Sequence, residues 1–328
     1  MIMSEITLVE AINQALAYEM QADASVVILG EDIAKNGGVF RATVGLLDKF
    51  GSDRVRDTPL AESMIGGVAI GMALQGLKPV AEFQFMGFIY PAVNQIINHA
   101  ARMRHRTHGR LHCPVVFRTP YGCGIHAPEH HSESTEALFA HIPGLRVIIP
   151  SSPARAYGLL LAAIRNPDPV IFLEPSRLYR WAKQAVPDDG KALPLDKCFI
   201  LREGTDVTLV TWGAMLKETM AVADQLAVNG MSAEIIDVAT MKPLDMVTIL
   251  NSVEKTGRCV IIHEAARTGG IGADISAQIA EQGLLFLKAP VQRVTGYDTT
   301  VPYPRLEKYY LPSEKQILKA VQDVMEFA

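Results

Sequence analysis

The chain has 328 residues, of which 49% are hydrophobic and 20% charged, a composition typical of a globular protein with room for two domains. Lys and Arg total 31 against 35 acidic residues, and the net charge of −4 argues against electrostatic binding of nucleic acid. No apolar run approaches the roughly 20 residues of a membrane span, and the N-terminus lacks the pattern of a signal peptide. The four cysteines form no CxxC pair, which argues against zinc and a disulfide scaffold, so we expect a cytoplasmic protein.

Strands alternate with helices in the first half of the chain. Thr7 and Glu10 form a capping box that opens an amphipathic helix. Further strands are predicted at 26–29, 78–85, 114–118, 145–149 and 169–173, and further helices after Pro59, at 90–106 and at 153–165. This alternation indicates an α/β fold whose parallel sheet is covered on both faces.

The helix after Pro59 is the most unusual element. Thr58 is expected to cap it and Pro59 to take its first position, and because residues 65–76 carry no charge we predict that it is buried. One acid, Glu62, lies in its first turn. It is either a carboxylate stabilised by the helix dipole or a catalytic acid whose ionisation is tuned by burial, and this stretch alone favours the dipole.

Histidines and aromatic residues mark a second unusual region. The segment 119–141 has no clean periodicity and contains four of the five histidines clustered at 112–141: His112, His126, His130, His131 and His141. α/β folds bind ligands in the loops at strand ends. We therefore give equal weight to two roles for these histidines, acid/base catalysis and a solvated position on the surface. Three phenylalanines and a glutamine at 82–88 are either plain core or an aromatic wall for a flat heterocycle.

The second half repeats the alternation on a smaller scale. We predict an N-terminal domain at 1–185, a linker at 186–205 and a C-terminal domain at 206–328. Strands are predicted at 206–212, 233–238, 258–263 and 291–295, with helices at 214–229, 272–281 and 313–325. The glycines of the turn at 269–272 favour tight packing over cofactor binding.

Six segments, taken together, resemble one family. They are GED (30–32), GGVFRAT (37–43), DTPLAE (57–62), EFQFMGF (82–88), HHSES (130–134) and SVEKTG (252–257). The chain resembles the beta subunit of the thiamine-diphosphate-dependent component of 2-oxo acid dehydrogenase complexes through nearly its whole length. The likeness is greatest to the pyruvate type of heterotetrameric bacterial enzymes, with branched-chain and acetoin types close.

The resemblance implies an N-terminal pyrimidine-binding domain and a smaller transketolase-type C-terminal domain. Glu62 takes the position of the catalytic glutamate that hydrogen-bonds N1′ of the aminopyrimidine of thiamine diphosphate. Leu60, Gln84 and Phe88 take positions that line the same pocket. The resemblance therefore favours a catalytic acid at Glu62 over a carboxylate that is only stabilised by the helix dipole.

Two further assignments follow from the resemblance. His131 matches the active-site histidine that positions or protonates reacting groups, and its neighbour His130 is the alternative assignment. Glu31 matches an acid of the tunnel that links two active sites. The resemblance gives no basis for asserting the structural monovalent cation that some beta subunits bind.

A missing motif defines the partner. The Gly-Asp-Gly motif that holds magnesium and diphosphate in this family does not occur in the chain, so we expect no metal site here and a separate alpha subunit that supplies it. The resemblance implies an α2β2 tetramer that decarboxylates a small 2-oxo acid and acylates the lipoyl group of an acyltransferase, docked through that partner's subunit-binding domain. A non-catalytic assembly subunit is the alternative from another class.

Overall fold

The computed structural model describes residues 5–327. Residues 1–4, part of the N-terminal segment in which we expect no signal peptide, and residue 328 lie outside that range. Across residues 5–327 no helix combines the length and apolarity needed to cross a membrane.

A seven-stranded sheet forms most of the first half. Its strands are β2 (Val26–Gly30), β3 (Val55–Asp57), β4 (Lys78–Glu82), β5 (Val116–Tyr121), β6 (Arg146–Ile148), β7 (Val170–Pro175) and β12 (Thr240–Lys242). They lie in the order β12-β6-β7-β5-β4-β2-β3, and every neighbouring pair is parallel except β12 with β6. The predicted parallel α/β sheet is therefore confirmed. A separate antiparallel pair joins β1 (Glu5–Ile6) to β8 (Gln184–Ala185).

A five-stranded sheet forms the second half. Its strands are β9 (Phe199–Arg202), β10 (Val207–Thr211), β11 (Ala233–Asp237), β13 (Cys259–Ile262) and β14 (Gln292–Val294). Their order is β14-β13-β10-β11-β9, and only β9 is antiparallel to its neighbour. Strand β12 lies between β11 and β13 in the chain yet joins the first sheet, so the two halves share a sheet. The bounds of the two domains stay a prediction.

Helices cover both sheets. They are α1 (Leu8–Ala22), α2 (Leu46–Phe50), α3 (Glu62–Leu74), α4 (Val93–Gln95), α5 (Met103–Arg106), α6 (Glu136–Ala140), α7 (Pro153–Arg165), α8 (Leu216–Val228), α9 (Met246–Thr256), α10 (Ile271–Gly283), α11 (Pro304–Tyr310) and α12 (Glu314–Met325). The capping box of Thr7 and Glu10 opens α1 as predicted. Helix α7 has the predicted bounds, and Ser313 caps α12.

Two helix predictions are wrong. The N–H of Thr58 donates to the Gly30 carbonyl at 3.0 Å, so the chain is still hydrogen-bonded to β2 at this residue. Helix α3 begins only at Glu62. The helix predicted at 90–106 is broken into a 3-10 segment at Met86–Ala92, α4, a π turn at Ile96–Ala100 and α5. Pro91 lies inside the first of these segments, where its missing N–H cannot join an α-helical ladder.

The hydrophobic core continues from one half of the chain into the other. Phe117 and Phe139 of the first half pack in the same buried cluster as Trp212 and Ile236 of the second. This shared core fixes the two sheets against each other, and with them the loops at the carboxyl ends of β2, β4 and β5.

Candidate active site

Three neighbouring strands bring acidic residues to one edge of the first sheet. Gly30 at the end of β2 is in register with Asp57 at the end of β3 and with Glu82 at the end of β4. Glu31 directly follows β2, and Glu62 opens the helix that follows β3. The carboxyl ends of parallel strands are where α/β folds bind ligands, and this is where the sequence places its candidate acids.

Glu31 is a buried acid with an unsatisfied oxygen. Its side chain is 8% exposed, and Oε1 has no hydrogen-bond partner among the described residues. Burial raises the pKa of Glu31, and the neighbouring charges of Glu62 and Asp32 raise it further, while the Ala61 N–H opposes them. Glu31 and Glu62 therefore share one electrostatic environment, in which a proton on Glu31 is favoured.

Helix α3 carries Glu62 on a support made by the segment that follows β4. The Ser63 hydroxyl donates to the Pro91 carbonyl at 2.7 Å. Gly66 lies so close that a Cβ there would be 3.2 Å from the Ala92 Cβ, so only a small residue permits this approach. Packing on this segment fixes the start of the helix and with it the backbone of Glu62.

The prediction that this helix is buried is only half right. Its inner face is buried, but Met64 and Val68 on the other face are 38% and 40% exposed in this chain. Leu60, predicted to line the cofactor pocket, is 82% exposed just before the helix. The side chains of Leu60, Met64 and Val68 all face outward. This stretch therefore contains more hydrophobic residues than the chain buries by itself.

The aromatic interpretation of segment 82–88 gains a physical basis in the structure. The ring centroids of Phe85 and His131 lie 4.1 Å apart, and those of Phe88 and His131 lie 5.1 Å apart. Phe88 also faces His130 at 5.7 Å. Two phenylalanines and two histidines thus form one cluster, so the structure brings the predicted Phe88 and His131 together.

Gly87 allows this cluster to form, although the sequence analysis did not single it out. A Cβ at position 87 would lie 2.4 Å from the His130 carbonyl oxygen, so any larger residue collides with the histidine turn. Tyr90 anchors the same turn, because its hydroxyl donates to a carboxylate oxygen of Glu133. The glycine inside EFQFMGF was the available signal, since a glycine between aromatic residues often marks a close backbone approach.

The two adjacent histidines differ in their surroundings. His131 is half-buried, and its Nδ1 is buried without a partner among the described residues. Burial lowers the pKa of His131, His130 lowers it further, and Glu129 opposes both. His130 is exposed, with Nδ1 3.7 Å from Glu129 Oε1. The neutral imidazole of His131, facing the aromatic cluster, is the better placed of the two for proton exchange at a ligand.

Gln84 contacts the acidic loop after β2. Its Nε2 donates to Asp32 Oδ2 at 3.3 Å, and it directly precedes Phe85 in the chain. Its position at the cofactor stays a prediction. Leu60 has no such role within this chain, because its side chain projects outward.

A buried network of ion pairs lies beneath the site and was not predicted from the sequence. Arg118 donates from Nε to Glu174 Oε1 at 2.7 Å and from Nη2 to Glu174 Oε2 at 2.9 Å, and it also pairs with Glu82. The Tyr179 hydroxyl donates to Glu174 Oε2 at 2.6 Å. Burial lowers the pKa of Arg118, but the two carboxylates raise it by more. The sequence feature that could have predicted this network is the presence of opposite charges at the ends of adjacent predicted strands.

These residues fit a flat heterocycle that can exchange a proton. The unsatisfied Oε1 of Glu31, the unpartnered Nδ1 of His131 and the aromatic faces beside it provide polar and stacking contacts together. Within residues 5–327 no group of three His, Cys, Asp or Glu side chains is placed to hold a metal ion.

Comparisons with known proteins identify the two domains of the chain and its family. Residues 4–182 match the family model for the transketolase pyrimidine-binding domain, and residues 196–317 match that for the transketolase C-terminal domain. The pyruvate dehydrogenase E1 component subunit beta of Bacillus subtilis is 47% identical over 325 residues, which cover 99% of this chain and 100% of that protein. The subunit of the same name from Acholeplasma laidlawii is 49% identical and covers 96% of both chains.

A solved structure shows the same fold. The chain superposes on a split-gene transketolase, described as an inactive beta4 tetramer, with a TM-score of 0.81. The match covers 98% of this chain and 99% of the transketolase chain at 24% sequence identity. The two-domain fold implied by the resemblance is therefore confirmed.

Proposed function

Because the chain belongs to the family of pyruvate dehydrogenase E1 component beta subunits, we propose that it is one half of a thiamine-diphosphate-dependent active site. The reaction is the oxidative decarboxylation of pyruvate, with transfer of the acetyl group to the lipoyl group of an acyltransferase. The observation that carries this proposal is that Glu31 and Glu62 interact at the carboxyl edge of the sheet, where Gln84 donates to Asp32 beside Glu31 and the rings of Phe88 and His131 lie 5.1 Å apart.

Glu62 is the proposed partner of the aminopyrimidine. Thiamine diphosphate supplies a ring that accepts the electron pair released when carbon dioxide leaves. In this chain the Glu62 carboxyl group would hold a proton at aminopyrimidine N1′, with Gln84, Phe88 and Leu60 lining the heterocycle. Packing of α3 on the segment after β4 keeps the carboxylate at the mouth of the site.

Glu31 and His131 have the supporting proton chemistry. Because its pKa is raised by burial and by Glu62, Glu31 can store a proton beside the catalytic acid, in agreement with a place in a proton tunnel. His131 is favoured over His130 because its pKa is lowered and its Nδ1 is free inside the site. A neutral imidazole there can donate to or accept from the reacting groups.

The site is completed by a second chain. Leu60 lies two residues before Glu62, and Met64 and Val68 follow it on α3. All three face outward, and burying them requires another surface. An alpha subunit of an α2β2 tetramer, holding magnesium and the diphosphate, fits this need. The C-terminal domain of this chain would then bind the subunit-binding domain of the acyltransferase.

Two alternatives keep part of this proposal. A branched-chain 2-oxo acid or acetoin enzyme would share the mechanism, because one methylene changes selectivity by only about 1–3 kcal/mol. A non-catalytic assembly subunit would share only the fold. The second gives no reason for an unsatisfied buried carboxylate and an unsatisfied imidazole in the same site.

Glu62→Gln in the reconstituted αβ complex tests the proposal. We expect turnover of pyruvate to fall by about a hundredfold or more, because general acid–base catalysis contributes roughly that factor. Glu314→Gln is the matched control, since Glu314 also lies in the first turn of a helix but far from the site. Unchanged turnover in Glu62→Gln, with both variants assembled, would leave Glu62 a dipole partner only. Comparing pyruvate with 2-oxoisovalerate on the wild-type complex decides the substrate.

A further inference from the structure

A cavity of the described chain lies away from this site, at the carboxyl ends of β13 and β14. Its volume is about 530 Å³, and it is lined by residues of the loop after β13, the loop after β14 and helix α12. This volume lies within the range of small-molecule sites, and strand ends are where α/β sheets bind ligands. None of the residues of the proposed catalytic site lines it.

The charges around the cavity are unbalanced. Four cationic side chains line it, against two acidic ones: Arg267, Arg293, Lys315 and Lys319 against Asp298 and Asp323. The chain as a whole has the opposite sign, with a net charge of −4. A local cationic excess on an acidic chain is therefore a feature of this cavity and not of the composition.

Both acids are already engaged by other groups. Asp298 accepts from the Thr268 N–H at 2.8 Å and from the Thr268 hydroxyl at 2.7 Å, which uses both carboxylate oxygens. Asp323 pairs with Lys319 along α12. Within residues 5–327, Arg267, Arg293 and Lys315 have no carboxylate within salt-bridge distance, so their charges are available to a ligand.

Reciprocal hydrogen bonds hold the two arginines side by side. Arg267 Nη1 donates to the Arg293 carbonyl at 3.0 Å, and Arg293 Nη1 donates to the Arg267 carbonyl at 3.1 Å. Burial lowers the pKa of Arg293 and the charge of Arg267 lowers it further, while the charge of Asp298 opposes both. Each guanidinium is thereby held at the backbone of the other arginine, and an added anion would relieve the repulsion between them.

We propose that this cavity binds a small phosphorylated molecule. Each guanidinium keeps donors beyond the Nη1 that is bound to the backbone, and the fork of a guanidinium matches the oxygens of a phosphate group. Lys315 on α12 adds a charge from the opposite wall, and the exposed ring of Tyr297 lies at the rim. A concave site of this volume favours a small molecule over the flat surface of a protein partner.

Titration calorimetry on the αβ complex saturated with thiamine diphosphate tests this proposal, with inorganic pyrophosphate as the probe. We expect saturable binding that weakens with salt and that weakens about tenfold or more in Lys315→Glu and in Arg267→Gln. Both residues are exposed, so the fold should survive. Lys308→Glu is the control, because Lys308 is an exposed lysine of α11 outside the cavity.

Four results would overturn the proposal. The first is the absence of any binding beyond the cofactor site, and the second is binding that none of the cavity variants weakens. The third is equal affinity for citrate, which would show that phosphate is not the group recognised. Release of the alpha subunit by Lys315→Glu would likewise show that the cavity faces a protein. None of these outcomes depends on turnover, so failure here leaves the proposed reaction untouched.

Discussion

Gly87→Ala tests whether the histidine turn must lie where the structure places it. The new Cβ would be 2.4 Å from the His130 carbonyl oxygen and 3.0 Å from its Cβ. Ordinary contacts begin near about 3.5 Å, so the turn has to retreat by roughly 1 Å. His131 would move with it, away from the rings of Phe85 and Phe88. A displacement of about 1 Å is enough to cost roughly a hundredfold in rate, so we expect kcat for pyruvate to fall by that order.

The assay is steady-state decarboxylation by the reconstituted αβ complex, with assembly followed by size-exclusion chromatography. Gly283→Ala is the matched control, because its Cβ would meet the side chain of Leu250 at 3.1 Å in the second half of the chain. Both variants overpack, at a cost of about 1–3 kcal/mol, but only Gly87→Ala disturbs the site. An assembled Gly87→Ala complex with wild-type kcat would refute the role assigned to this turn.

Three further predictions concern ionisable side chains. Burial raises the pKa of Glu264 to about 7 from 4.5, so its contribution to stability is present below pH 4.5 and lost as the pH rises through 7. Glu264→Gln should abolish that loss, worth about 3 kcal/mol, and the melting temperatures of variant and wild type should diverge between pH 5 and pH 8. Arg118→Met should destabilise the complex by about 3–5 kcal/mol in thermal unfolding, because it leaves two buried carboxylates without a cation. His130→Gln removes a charge that lowers the pKa of His131, so the acidic limb of the pH–activity profile should move to higher pH.

Local signals were read correctly where they act within a few residues. Helix α7 begins at Pro153 after the cap Ser152, and α1 begins at its capping box, because such contacts are contained in the sequence window itself. The alternation of strands and helices likewise predicted a parallel sheet. These features required no knowledge of what lies across the fold.

Features that depend on distant partners were missed. The start of α3 was misplaced because Thr58 is held by Gly30, which belongs to a different strand. The network of Arg118 joins residues that become neighbours only when β4, β5 and β7 pair. The requirement for Gly87 comes from His130, a residue of another loop. The resemblance, and not the spacing, pointed to the candidate site, because only a family pattern relates such distant segments.

The exposed face of α3 connects the fold to the proposed assembly. A helix with no charge from Ile65 onward is expected to be apolar on all sides and therefore buried. Met64 and Val68 are nevertheless exposed in this chain. The same chain lacks the motif that would hold diphosphate and magnesium. The exposed apolar face lies on the helix that carries Glu62. We therefore expect assembly and activity to be lost together when that face is made polar.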